Sequence, residues 1–187
     1  MLEQRIQQQF FESADLLSHS ADALSRPIAQ AAQALMACIT AGGKVIFAGA
    51  GTGASLASYG AALLVGRFER ERPPLAALAL AASDADARAL EVRALGAPGD
   101  VFVALGAGAG APALLPAVRA AHDKDMVVVA LLGAAPNALA EALAETDVSI
   151  AVQHERHARV QELHLAVLHA LADAIDLQLM GEQDTAP

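Results

Sequence analysis

The chain has 187 residues, enough for one ordinary domain. Hydrophobic residues make up 55% and charged residues 18%, which allows a sizeable core and excludes a disordered segment. A net charge of −9, from 12 Lys and Arg against 21 Asp and Glu, excludes a broad basic patch and with it direct nucleic-acid binding. With no Trp and one Tyr, the core has to be built from Leu, Ala, Val and Ile. Cys38 is the only cysteine, so neither an internal disulfide nor a multi-cysteine metal site is available, and its apolar neighbours predict a buried thiol. The amino terminus, MLEQRIQQQF, lacks the apolar run of a signal peptide, and no membrane span is expected. These features predict a reduced, cytoplasmic protein.

In chain order, residues 4–24 read as a helix, with Ile6, Phe10, Leu17 and Ala21 at near-helical spacing. A second helix is predicted over 25–40, with Pro27 in its first turn and Gly42 and Gly43 stopping it. An alternation of strands and helices follows. KVIFA (44–48) is a strand, GAGTG (49–53) a glycine-rich loop, and 54–68 a helix. Strand 74–80, helix 83–95, strand 100–106 and a helix ending near 122 come next. Strand 126–132, a short helix at 137–144, strand 147–152, a long helix over 158–180 and a frayed tail complete the chain. The middle strands are continuous apolar runs, the pattern of strands covered by helices on both faces. The expectation is a single domain, a three-layer α-β-α sandwich on a five-stranded parallel sheet. Its parts are a helical segment (1–43), an α/β core (44–157) and a carboxy-terminal helix (158–180).

Ligands in such folds sit beyond the carboxyl ends of the strands, where GAGTGAS (49–55) and GAGAGA (106–111) should face one crevice. The first loop follows a strand and opens a helix, so its backbone N–H groups could cradle an anion. No Lys-Ser/Thr pair ends it, so it is not a P-loop, and no acidic residue ends the next strand to complete a dinucleotide site. Glycines retained for close helix–strand packing are the alternative. The second loop offers no hydroxyl, amide or charge. Gly51, Thr52, Gly53, Ser55, Gly106 and Gln161 are the candidate ligand-binding residues.

The segments KVIFAGAGTGAS, GRFERERPPLAALAL, VRALGAPGDVFVAL and ARVQELHLAVLHAL resemble the SIS (sugar isomerase) family. The resembling branch holds phosphoheptose isomerase and the initiator-associating protein DiaA, and FERERPPLAALAL with Thr52 looks closer to the latter. The resemblance implies a homotetramer on a parallel sheet. It also implies that the isomerase motif falls here on Ala50, Gly53, Tyr59 and Leu63, with Leu63 in place of a catalytic Glu and Ala158 in place of an Asp. The sugar-phosphate loop would fall on 106–111, and the segment between Leu80 and Arg93 is about a dozen residues shorter than is usual. Gln161 and His169 match positions that hold metal or transfer protons, which makes them vestigial candidates for a metal, and His169 the vestigial candidate for catalysis. One helix places them about 12 Å apart along its axis.

Isomerisation needs a base beside the carbonyl and an acid for oxygen, and Leu63 can be neither. The expectation is therefore a non-catalytic scaffold that binds the replication initiator DnaA, with Leu179 and Met180 as the partner contact and with no cofactor or catalytic residue. The alternative is a phosphoheptose isomerase-like enzyme or sensor for sedoheptulose 7-phosphate-type sugar phosphates, held weakly. His164 reads as a core or interface histidine. His154 and His157 flank Glu155 and Arg156 in a loop near the crevice, read as solvated. The mixed-sign run from Arg67 to Arg72 reads as a salt-bridged surface or subunit contact, with a partner site as the alternative.

Overall fold

The computed structural model describes residues 1–108, 111–134 and 137–182. The sheet is parallel throughout and five-stranded. Its strands are β1 (Val45–Gly49), β2 (Ala77–Ala79), β3 (Val101–Gly106), β4 (Val127–Leu132) and β5 (Val148–Ala151), in the order β2-β1-β3-β4-β5. The helices are α1 (Leu2–Thr40), α2 (Gly53–Val65), α3 (Ala85–Leu95), α4 (Leu115–His122, after a 3-10 turn at Ala111–Leu114), α5 (Ala138–Glu141) and α6 (His157–Met180).

The apolar runs are explained by burial on both faces. Val45, Phe47, Val101, Val103 and Leu105 pack with α1, α2 and α6, while their neighbours Ile46, Ala48, Phe102 and Ala104 pack with α3 and α4. Successive strand residues thus serve two separate cores. α6 is apolar and long enough to match a membrane span by composition, yet Leu163, Val167, Leu171 and Ile175 are buried in the first of these cores. Cys38 is buried as expected; its thiol donates to the Lys44 carbonyl at 3.3 Å, and burial pushes its pKa up.

Two predicted helices are one. α1 runs unbroken for 39 residues with Pro27 inside it. Pro27 has no N–H for the Ala23 carbonyl, a defect that normally ends or kinks a helix. Packing on both sides of the proline holds it in line. Leu24, Ala31, Ala32, Leu35 and Cys38 are buried in the core shared with α6. Toward the amino terminus, Arg159 donates to the Gln9 carbonyl at 2.6 Å and Ser13 donates to Glu162 at 2.7 Å. Pro27→Ala restores the donor, worth about 3 kcal/mol in propensity, and loosens the unfolded chain by up to about 1 kcal/mol. A net gain of about 2 kcal/mol is expected in urea denaturation; an unchanged or lower midpoint would show that the ring itself packs usefully.

Candidate functional site

The chain leaves β1 for β2 on one side and returns to β3 on the other, so the strand order reverses between β1 and β3. A crevice opens beyond the carboxyl ends at such a point. The two strands pair in register, Gly49 beside Leu105, and the Ala50 N–H donates to the Leu105 carbonyl at 3.1 Å. Both glycine-rich loops therefore start side by side, as the sequence implies. They border an open crevice of about 590 Å³ walled by Ala50, Gly51, Ala107 and Gly108, with Thr52, Glu155 and His157 as its polar lining. Ala109 and Gly110 of the second loop lie outside the described residues.

The glycines of these loops do different jobs. Gly51 has φ +57°, a left-handed turn that suits glycine. A Cβ on Gly49 would overlap the backbone of Gly53, and one on Gly53 would lie 2.7 Å from the Leu105 carbonyl. Gly53 is buried and its N–H donates to the Ala50 carbonyl at 3.0 Å. Gly106 is also buried, against Ala111. Close packing is what requires glycine at 49, 53 and 106. Ser55 is exposed on the first turn of α2, its N–H donating to the Thr52 carbonyl at 3.3 Å. The N–H groups of Gly51 and Thr52 have no acceptor among the described residues.

Thr52 precedes α2 without capping it through its side chain. Its hydroxyl instead joins two residues of α6: the Gln161 amide donates to it, and His157 Nε2 lies 3.2 Å away. His157 Nδ1 lies 3.2 Å from the Ala107 carbonyl. A carbonyl only accepts, so Nδ1 carries the proton, Nε2 carries the lone pair, and Thr52 donates to it. The bonds run in one direction, from Gln161 through Thr52 and His157 to Ala107. The ring also explains Gly108, where a Cβ would lie 2.7 Å from Nδ1.

His169 lies elsewhere. The Tyr59 hydroxyl is 2.8 Å from its Nε2, and the Phe68 ring packs against it at 5.3 Å between centroids. Eight residues separate His169 from Gln161, about 12 Å along α6, and the two side chains engage different partners. They do not fit a shared metal ion within one chain. His164 is buried on the same helix, 3.1 Å from the Leu132 carbonyl, and burial lowers its pKa to about 4. Leu179 is exposed and Met180 half-buried at the end of α6.

Leu63 is 8% exposed and packs in the core beside Leu35, Phe47 and Leu168. Two sequence readings change here. His157, read as part of a solvated loop, is the first residue of α6, and that start of the helix brings it to the crevice. Arg72, read as surface, has a side chain only 1% exposed and pairs with Asp176. No local pattern marks His157 or Arg72, because each is defined by a partner about a hundred residues distant.

Comparison with known proteins bears on the chemistry. A family model for the SIS domain matches residues 9–133. The chain is 53% identical to a phosphoheptose isomerase of Methylibium petroleiphilum over 98% of both chains. It is 39% identical to one of Azoarcus sp. over 96% of this chain and 98% of that protein. The structure of a phosphoheptose isomerase from Francisella tularensis superposes with a TM-score of 0.88 at 32% identity, covering 94% of this chain and 98% of the other. That of phosphoheptose isomerase GmhA from Neisseria gonorrhoeae gives 0.85 at 34%, covering 94% and 99%. These full-length matches overturn the expected kinship to DiaA, since nothing in them singles out that branch. They likewise overturn the reading of a non-catalytic, DnaA-binding scaffold of replication initiation. The expectation of lost chemistry rested on Ala50, Gly53, Tyr59, Leu63, Ala158 and the 106–111 loop, and identity over the full length of phosphoheptose isomerases outweighs those single positions.

Proposed function

This chain belongs to the SIS domain family, and on that premise we propose that it is a phosphoheptose isomerase, interconverting a ketose phosphate of the sedoheptulose 7-phosphate type and its aldose isomer. The observation that carries the reading is the full-length identity of 53% to a phosphoheptose isomerase, on a fold whose crevice keeps hydrogen-bonding groups at the strand ends. The lining supplies the Gly51 and Thr52 amides and the Thr52 hydroxyl for the sugar phosphate, and Glu155 and His157 as groups able to move protons. Among the described residues neither Lys nor Arg lines it: Arg156 is bound to Glu12 and Gln9, and Arg159 to Gln9, Ser13 and Glu162. Phosphate binding then rests on neutral donors, which predicts weak binding.

A cytoplasmic setting, where phosphorylated sugars are found, belongs to the same proposal. So does a homotetramer, for Ile6, Phe10 and Leu17 leave an exposed apolar stripe along α1 that suits a second copy.

The test is turnover of sedoheptulose 7-phosphate by purified protein, followed by NMR. Product formation with saturation is expected, and Thr52→Val should raise KM about tenfold, the loss of one hydrogen bond to a charged group. A total lack of turnover at millimolar substrate rejects the isomerase reading.

A further inference from the structure

We propose that Arg88 is a specificity-determining residue of the crevice, a buried cation that favours a phosphorylated ligand by its charge and without touching it; the inference rests on the isomerase reading. Arg88 is 4% exposed and lies in the first turn of α3. Its Nη1 donates to the Ala113 carbonyl at 3.0 Å and its Nη2 to the Ser83 carbonyl at 3.2 Å. Both acceptors are neutral. Among the described residues no carboxylate pairs with it. Asp84 instead caps α3 through the Ala87 N–H, and Glu91 accepts from the Ala82 N–H. The buried guanidinium groups of Arg72 and Arg159 do have carboxylate partners, Asp176 and Glu162.

A buried charge is ordinarily paired, because desolvating it is costly. The first turn of a helix is also its positive end, the wrong place for a cation. Position relative to the crevice accounts for both anomalies. Ser83 follows β2, and Ala113 lies in the 3-10 turn after β3. The guanidinium therefore sits at the carboxyl edge of the sheet, where the crevice opens. Ala113 is two residues beyond Ala111, which walls the crevice, and this spacing puts the charge about 10 Å from a ligand there. Attraction acts over that distance, since a buried charge is screened far less than an exposed one.

The described lining of the crevice has no cation of its own. Its polar side chains are Thr52, Glu155 and His157, and the Glu155 carboxylate repels a phosphate dianion. Amides and a hydroxyl can bond the phosphate oxygens, yet they leave the charge uncompensated. Arg88 supplies compensation from behind the wall and takes no space from the sugar. A sugar without phosphate gains nothing from that charge, so Arg88 discriminates between a sugar phosphate and the free sugar.

The experiment compares the full-length protein with Arg88→Gln, Arg88→Met and Arg88→Lys, with thermal melting to verify folding. It reads KM and kcat for sedoheptulose 7-phosphate, and the Kd of inorganic phosphate by calorimetry. Arg88→Gln keeps a donor for the two carbonyls and removes the charge, Arg88→Met removes both, and Arg88→Lys keeps the charge. KM and the phosphate Kd should rise about fivefold in the two charge-free variants, the attraction of a dianion about 10 Å away, with kcat and both Arg88→Lys values within about twofold. An unchanged phosphate Kd in a folded charge-free variant, a loss confined to kcat, or Arg88→Lys as weak as Arg88→Gln overturns the assignment and leaves the isomerase reading intact. Failure of all three variants to fold makes Arg88 a purely structural strap and overturns it too. No turnover by the unmodified protein rejects the isomerase reading, and the phosphate Kd values then decide on Arg88 by themselves. No phosphate binding to the unmodified protein at tens of millimolar overturns the assignment.

Discussion

Arg72→Met is expected to destabilise the protein by about 3–5 kcal/mol, the usual cost of stranding one member of a buried ion pair. Arg72 Nε donates to Asp176 Oδ1 at 2.6 Å, and the two side chains are 1% and 2% exposed. The rest of the guanidinium caps a helix. Its terminal nitrogens donate to the carbonyls of Leu63 and Leu64 at 2.7 and 2.8 Å, near the end of α2, where no intrahelical donor remains. Among the described residues Asp176 Oδ2 has no partner, so none of them stands ready to compensate the carboxylate once the cation is gone. Urea denaturation measures the loss; a change below about 1 kcal/mol would mean that water reaches the carboxylate and solvates it. Combining Arg72→Met with Asp176→Leu should recover much of the stability, because a buried pair replaced by apolar groups loses its desolvation cost as well as its attraction. The guanidinium thus ties the end of α2 to α6.

Acidification should destabilise the fold through His164. Burial lowers its pKa from 6.5 to about 4, with its bond to the Leu132 carbonyl opposing the shift and the nearby His157 adding to it. The folded state therefore resists protonation that the unfolded chain accepts. Above pH 6.5 both states are neutral and the residue has no linkage effect. Between pH 6.5 and about 4 the unfolded state binds the extra proton, and stability falls with pH. The fall integrates to roughly 3 kcal/mol across that window. Melting temperature measured from pH 7 to pH 4 checks it. His164→Gln, which keeps a donor for the Leu132 carbonyl, should flatten the profile in that window. A profile equally steep in the variant assigns the acid sensitivity to other groups.

Much of the architecture is legible in residue patterns. Continuous apolar runs predict strands covered on both faces, and each predicted strand is present, although 74–80 shrinks to Ala77–Ala79 at the sheet edge. Glycine-rich segments after the first and third strands predict a shared crevice, which the β1–β3 pairing produces. Pro27 misleads because a propensity penalty of a few kcal/mol is local, while the packing that overrides it comes from α6, more than a hundred residues later.

The site was only half legible. Its glycine-rich rims and the opposing helix bearing Gln161 follow from sequence, since close strand–helix turns demand particular residues at particular spacings. Which side chains face the ligand does not. Leu63 is buried in the core and His157 lines the crevice, placements that depend on how α2 and α6 pack against the rest of the fold. By itself the sequence determined the order of elements, the parallel sheet and the place of the crevice, all consequences of hydrophobic period and backbone freedom. Only the tertiary structure decided which groups meet there, because a hydrogen-bond chain such as Gln161–Thr52–His157–Ala107 exists solely through contacts between segments remote in the chain.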